Sequence, residues 1–489
     1  MQRNILSISV ASILLCITTF AVADYKDDIG YTKLLERYTD VADGSGVTVY
    51  QVEGTDSSSR YRPSATTSGT GTEFTGKTFT FIDTSTVTGT SVHAVDVAEN
   101  FYGNTISIAS GVTDIYSSSA SYYLNYILNY AGGAMGAPVT AYGKIQNNSW
   151  IGANSGTNST ELNLLNRLDY QINRDNFVNV VGVANYETGY TTPYNPQYNL
   201  LACSYNSIAV GVSSGNHYYG DTSAVNGAGR LKPDLVSTSY GGLGGYKTSY
   251  ATAVVSSAAA ILWDKAGETG LNNARNSYVM KALLLGGTTK DGLKTSATLP
   301  GMPNHEWSHT EYDPIDQVFG AGQLNIYNSY RMLTAGEQTA SSSVDVSEIG
   351  WDQGTASSST AQKYFFEITS DNAAAGMKFA ATLAWNASTS VLTYNNISLS
   401  LANLDLKLYT ADGYVLGDLL EQSISGADGS TSQNVELIYT DLAVGRYCLE
   451  VLSNTNNINY GLVWGNVPEP ATITLLILGG AALLRRRKF

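Results

Sequence analysis

The sequence predicts an α/β domain, a parallel sheet flanked by helices, followed by a C-terminal β-sandwich. Three observations carry this. From Gly46 to about Leu333, β-branched runs ("VTVYQV", "FVNVVGVA", "SIAVGV", "KPDLVS") alternate with helix-length segments ("SYYLNYILNYAGG", "LNLLNRLDYQINRD", "ATAVVSSAAAILWD", "NARNSYVMKALLLGG"). Such alternation is the pattern of parallel strands joined by crossover helices. From about residue 362 the helical pattern stops, and runs such as "KYFFEIT", "KFAATLAW", "NVELIYT" and "RYCLEVL" are divided by Gly, Asn, Asp and Ser turns. Short strands at that spacing read as a sandwich. Finally, only 14% of the 489 residues are charged while Gly (48) and Tyr (34) abound, which suits a folded extracellular protein rather than a disordered chain.

The two ends read as addresses. Arg3, the apolar run Ile5–Phe20 and the small-x-small signal Ala21-Val22-Ala23 make residues 1–23 a secretory signal peptide. At the other end Pro468-Glu469-Pro470 precedes an apolar stretch, Ala471–Leu484, and the basic cluster Arg485–Lys488. The apolar stretch is short for a bilayer, which takes roughly 20 residues. Between the ends the reading is a domain at 24–335, a Ser/Thr/Ala-rich linker at 336–361, a sandwich at 362–465 and a tail at 466–489. Net charge is −14 with a pI near 4.7, which argues against nucleic acid as a partner. After loss of Cys16 the chain keeps Cys203 and Cys448, one in each domain, read as small buried residues that do not pair. Acidic residues fall at no EF-hand spacing, so the sequence leaves structural calcium undecided, and no cofactor is implied.

The chemistry starts at "KTSYATAVVSSAAAILWD". From Ala251 to Leu262 almost every side chain is small or apolar, so this helix is expected to be buried on all sides, with Ser249 at its N-terminus. Backbone N–H groups converge there and favour developing negative charge. A nucleophilic serine also needs a base, an orienting acid and an oxyanion donor. His93, one of four histidines, opens a helical stretch in which His93, Val97 and Phe101 share a face. Glu53 ends the first strand, "GSGVTVYQVEG", where ligand sites of parallel sheets form. Asn185 ends the apolar run Phe177–Ala184, where its amide could donate to an oxyanion. Taken singly, each residue also has a plain structural reading: strand-end carboxylate, satisfied histidine, turn asparagine, N-cap serine.

Taken together, acid, His, Asn and Ser follow the chain order of subtilisin, and residues 44–333 resemble the subtilisin-like serine proteases. "GSGVTVYQVEG" is similar to that family's first strand, with Glu53 on its catalytic Asp. "VHAVDVAENFYG" places His93 on the catalytic His, "VVGVAN" places Asn185 on the oxyanion Asn, and "KTSYATAVVSSAAAIL" places Ser249 on the nucleophile. "NNSWIG" (147–152) resembles the strand that lines the substrate cleft, and "FGAGQLNIYNSY" (319–330) the closing segment. The resemblance implies a secreted endopeptidase acting on polypeptides through a Glu53/His93/Ser249 triad. The tail resembles the PEP-CTERM sorting signal of Gram-negative bacteria, which implies export, recognition by an exosortase and removal of the tail at the envelope. Through "LANLDLKLYTADG" and "LAVGRYCLEV" the sandwich resembles the jelly-roll or pre-peptidase-like domains that follow some members, which leaves three roles open: binding a polymer such as extracellular polysaccharide or the cell surface, assisting folding, or spacing the enzyme from the surface. Departures from the family pattern keep a second reading open, a catalytically impaired envelope protein with this fold. Glu53 replaces Asp; Lys247, Ala253 and Ser257 replace Gly, Pro and Gly around the nucleophile; Ala94 and Asp96 replace Gly and His after His93. Asp96 is a further candidate for the orienting acid. A serine hydrolase with a non-peptide substrate is the third reading.

Overall fold

A computed structural model describes residues 24–468 except 84–88, 131–135, 153–158, 187–199, 222–229, 241–246, 296–303, 370–376, 394–395 and 427–432. The expected signal peptide at 1–23 and the tail from 469 onward thus lie outside the described residues. Two short helices, α1 (Tyr25–Asp28) and α2 (Tyr31–Arg37), open the chain. They are built into the domain: Ile29 and Leu34 are fully buried, and Ile326 N–H donates to Ile29 O at 2.8 Å.

The first domain is a seven-stranded parallel sheet. Its strands are β1 (Val49–Glu53), β2 (Thr78–Phe81), β3 (Asp114–Ser119), β4 (Ile145–Asn148), β5 (Val178–Gly182), β6 (Ile208–Val212) and, after a short ribbon of β7 (Gly220–Asp221) and β8 (Leu231–Lys232), β9 (Leu235–Ser237). The order is β2-β3-β1-β4-β5-β6-β9. β1, β4, β5 and β6 are buried on both faces, which explains the largely apolar runs of β5 and β6, while β1 and β4 bury polar side chains, among them Gln51, Glu53, Asn147 and Asn148. Helices α3 (Val92–Tyr102), the one-turn α4 (Ala120–Tyr122), α5 (Ser159–Asp175), α6 (Thr248–Glu268), α7 (Ser277–Gly286) and α8 (Ile326–Thr334) complete the domain. The segment "SYYLNYILNYAGG" is shorter as a helix than expected: a π-turn at Tyr123–Ile127 follows α4. Helix α6 is buried from Tyr250 to Ala266, as its composition requires, and its N-terminus faces the carboxyl ends of β1, β4 and β5.

The second domain is a sandwich of two four-stranded antiparallel sheets. One has the order β10-β19-β12-β17: β10 (Gly350–Ala356), β19 (Ile458–Val467), β12 (Lys378–Trp385) and β17 (Val435–Thr440). The other is β11-β18-β15-β16: β11 (Gln362–Ile368), β18 (Gly445–Ser453), β15 (Leu404–Asp412) and β16 (Val415–Ser423). A separate hairpin, β13 (Ser388–Thr393) with β14 (Asn396–Ser400), reaches back to α5, where Asn166 Nδ2 donates to Ile397 O at 2.8 Å. Residues 336–361 are not a free linker. They carry β10, which pairs with β19 from Gly350↔Trp464 to Ala356↔Ile458. The buried Trp351 anchors it by donating from Nε1 to Leu333 O at 2.9 Å. The two domains share a hydrophobic core, with α7 packed on β12 and β19. Gly461 permits that contact, since a Cβ there would lie 2.7 Å from Val279 Cα. Cys203 and Cys448 are both buried and are not joined by a disulfide.

Candidate active site

The four residues singled out in the sequence meet at one end of the parallel sheet. His93, Asn185 and Ser249 line a cleft of about 280 Å³ that Gly54, Trp150 and Ile151 also border. Glu53 stands behind His93 and is fully buried, while the His93 side chain is 42% exposed to the cleft.

Glu53 ends β1, and His93 lies in the first turn of α3 after Ser91. His93 Nδ1 is 2.8 Å from Glu53 Oε2. A carboxylate only accepts, so Nδ1 carries the proton and Nε2 is left as the acceptor. The other carboxylate oxygen is held as well. Gln51, two residues earlier on the same face of β1, donates from Nε2 to Glu53 Oε1 at 2.8 Å and to Ala94 O at 3.0 Å. Tyr102 OH in turn donates to Gln51 Oε1. Gln51 and Tyr102 are both fully buried. This chain of bonds holds the carboxylate rigid and gives each of its oxygens a partner, which a buried charge requires. Burial alone would lower the His93 pKa; the charge and hydrogen bond of Glu53, with Asp96, outweigh it and hold the pKa above the ordinary value of 6.5. Asp96 does not bond His93. Its Oδ2 accepts from Tyr250 OH at 3.0 Å, tying α6 to α3 beside the imidazole.

Ser249 lies in the first turn of α6, after Lys247. Its Oγ donates to Ser149 O at 3.4 Å, and Ser149 Oγ donates back to Ser249 O at 2.8 Å. Ser149 is held by Asn147 Oδ1 at 2.8 Å, and Asn147 Nδ2 donates to Ser256 Oγ at 3.0 Å, clamping the end of β4 to α6. No hydrogen bond joins Ser249 to His93 among the described residues. Asn185 Oδ1 accepts from Thr248 N–H at 2.9 Å and Thr248 Oγ at 3.1 Å. This fixes the amide with its Nδ2 donor uncommitted, next to the N–H groups at the start of α6. A carbonyl carbon at Ser249 Oγ would then meet donors for its oxygen, with the His93 imidazole lining the same cleft as the base for the serine proton.

The departures around the nucleophile are accommodated. Lys247 has φ −101° and ψ 139°, extended backbone that any residue adopts, so no glycine is needed. Ala253 is fully buried within an unbroken α6, and Ser257 Oγ is satisfied by Val254 O at 2.7 Å. Sequence reasoning did not find Gln51, Tyr102, Thr248, Ser149 or Tyr250. The only local signal among them is the period-two placement of Gln51 with Glu53.

The PEP-CTERM protein-sorting motif matches residues 466–488. It marks an exported protein of Gram-negative bacteria; among the described residues no helix is long and apolar enough to cross a membrane. No curated protein sequence matches the chain. Solved structures similar to it include a lanthipeptide protease, at 16% identity and a TM-score of 0.38 over 63% of this chain and 92% of that one. Another is the subtilase cytotoxin SubAB, at 15% identity and a TM-score of 0.39 over 64% and 96%. A third is MycP1 from Mycobacterium smegmatis, at 13% identity and a TM-score of 0.39 over 64% and 86%.

Proposed function

We propose that the mature protein is a subtilisin-like serine endopeptidase that hydrolyses polypeptides through an acyl-enzyme. The observation that supports it is the convergence, in one cleft, of a histidine oriented by a buried carboxylate, a serine on a helix N-terminus and an amide donor with its other end pinned. Ser249 Oγ attacks the scissile carbonyl carbon while His93 Nε2 takes its proton. Asn185 Nδ2 and the α6 N-terminus stabilise the oxyanion. His93 then hands the proton to the leaving amine as the C–N bond breaks, and a water, deprotonated by the same nitrogen, releases the acyl group. Every role falls to a side chain or backbone group of this chain, so no metal or cofactor is assigned a part. The sorting motif supports export followed by recognition of the tail by an exosortase at the cell envelope.

One observation favours a second reading, a catalytically impaired envelope protein. Ser249 Oγ bonds Ser149 O rather than His93. Catalytic hydrogen bonds are often long or misaligned before substrate binds, and a 3.4 Å bond is weak enough to exchange. The first reading therefore stands as the conclusion. Hydrolysis of an unfolded protein substrate by the purified mature protein tests it. Cleavage that disappears in Ser249→Ala supports an endopeptidase; equal cleavage in that variant, or none in the wild type, overturns it.

A further inference from the structure

Away from the cleft, a second cavity of about 430 Å³ lies where the sandwich meets the first domain. It shares no lining residue with the cleft. Six of its thirteen lining residues are asparagines, and none is Lys, Arg, His, Asp or Glu. In a chain with net charge −14, a cavity this size with no charged wall is a distinct chemical environment. It offers nothing to neutralise an anion or a cation.

Some of the asparagines build the walls. Asn173 Nδ2 donates to Ala387 O at 2.8 Å, and Asn386 Nδ2 donates to Asn173 Oδ1 and Ser277 Oγ, each at 3.0 Å. These bonds cross between the domains and set the cavity's width. They leave Asn386 Oδ1 uncommitted. Asn276 spends Nδ2 on Asn273 O at 3.0 Å and keeps Oδ1, so it does not cap α7. Asn459 spends Oδ1 on Thr355 Oγ at 2.9 Å and keeps Nδ2. Asn457, in the left-handed region at φ 62°, keeps its whole amide. The result is a mixed set of neutral donors and acceptors around the partly exposed ring of Tyr278.

Vicinal hydroxyls each donate and accept, and side-chain amides match them in both senses. A partly exposed aromatic ring beside such amides suits the C–H face of a sugar. A peptide side chain would instead seek an apolar or charged pocket, and only Ile172, Ala387 and Ile458 are apolar here. The volume falls within the roughly 300–1,000 Å³ range of small-molecule sites. We infer that this interdomain cavity binds a short stretch of neutral oligosaccharide, holding the protein on a glycan while the cleft stays open.

The experiment is titration calorimetry of the full mature protein, carrying Ser249→Ala to prevent self-digestion, with neutral glucose, galactose and mannose oligosaccharides. A uronic-acid oligosaccharide and an uncharged peptide serve as comparators. The paired change Asn457→Gly and Asn459→Ala removes uncommitted amides while keeping the left-handed turn, and its Tm reports folding. The expected result is saturable binding of at least one neutral oligosaccharide, insensitive to salt and weakened about tenfold or more by the paired change at an unchanged Tm. Binding of none of the neutral probes overturns the inference. So does neutral-sugar affinity that the variant leaves intact, or preference for the uronic acid or the peptide. Because every arm carries Ser249→Ala, the result is independent of whether the cleft is active.

Discussion

Among the described residues two glutamates are fully buried, one in each domain, and they are put to different uses. Glu53 ends a parallel strand with a histidine on one oxygen and an amide on the other. Glu436, on β17, has only serine: Ser423 Oγ on one oxygen, Ser425 Oγ and its N–H, at 3.1 Å, on the other. Burial pushes the Glu436 pKa up to about 8, against the bonds from those serines and with the help of Asp405. Near neutral pH it is therefore a neutral acid closing the sandwich. Glu53 has a titratable partner that itself borders an open cleft, and there the same side chain can stabilise a charge that comes and goes during a reaction. A buried carboxylate is chemically suggestive only when its partner is a base that substrate can reach.

The sharpest way to break the comparison is to remove the nucleophile. Ser249→Ala should lower kcat to background, a loss on the order of 10⁶ in kcat, read in a peptide-hydrolysis assay. Glu53→Gln comes next. It should cost roughly 10⁴ in kcat, because the amide can donate to Nδ1 and select the wrong tautomer. The pH profile gives an independent reading. His93 must be neutral to accept a proton, so activity rises with pH through its pKa, and the raised pKa puts that limb above 6.5 in the wild type. Removing the anion should move the limb of the residual activity to lower pH. Gln51→Leu, which frees Glu53 without touching it, should lower kcat about tenfold at an unchanged KM, with Tyr102→Phe smaller in the same direction. An equal loss through KM would mean that Gln51 shapes the cleft and does not position the triad.

The smallest effect on catalysis belongs to Glu436→Gln, which should leave kcat/KM unchanged and alter only stability. The folded-state pKa of about 8 lies above the unfolded value, about 4.3 for glutamate. Between these values the folded protein holds a proton that the unfolded chain has released, so this residue makes stability fall as pH rises through that window, with no further loss above it. Glu436→Gln should flatten that fall, measured as Tm against pH. A wild-type Tm that is flat across the window would remove the contrast between the two glutamates.

Much of this site was legible before the fold. Strand-end positions for Glu53 and Asn185 follow from the apolar runs that precede them, and the buried helix behind Ser249 from its lack of a polar face. What holds those residues was not legible. Tyr102 reaches Gln51 across 51 residues, Thr248 reaches Asn185 across 63, and Ser149 meets Ser249 across 100. Such pairs leave no periodic trace in one sequence. β10 was missed because "GWDQGTA" lies among Ser, Thr and Ala turns, and only its pairing with β19 and the burial of Trp351 make it a strand. Helix after Ala120 was overestimated because the Tyr/Leu/Ile pattern fits a helix, while the chain forms one turn and a π-turn.

The central claim is that Ser249 is a nucleophile made reactive by His93 and Glu53. Covalent labelling of the mature protein with a fluorophosphonate probe, read by peptide mass spectrometry, tests it most directly. The account predicts labelling confined to Ser249, absent in Ser249→Ala and much weakened in Glu53→Gln. A folded wild-type protein that takes no label at Ser249 would contradict it.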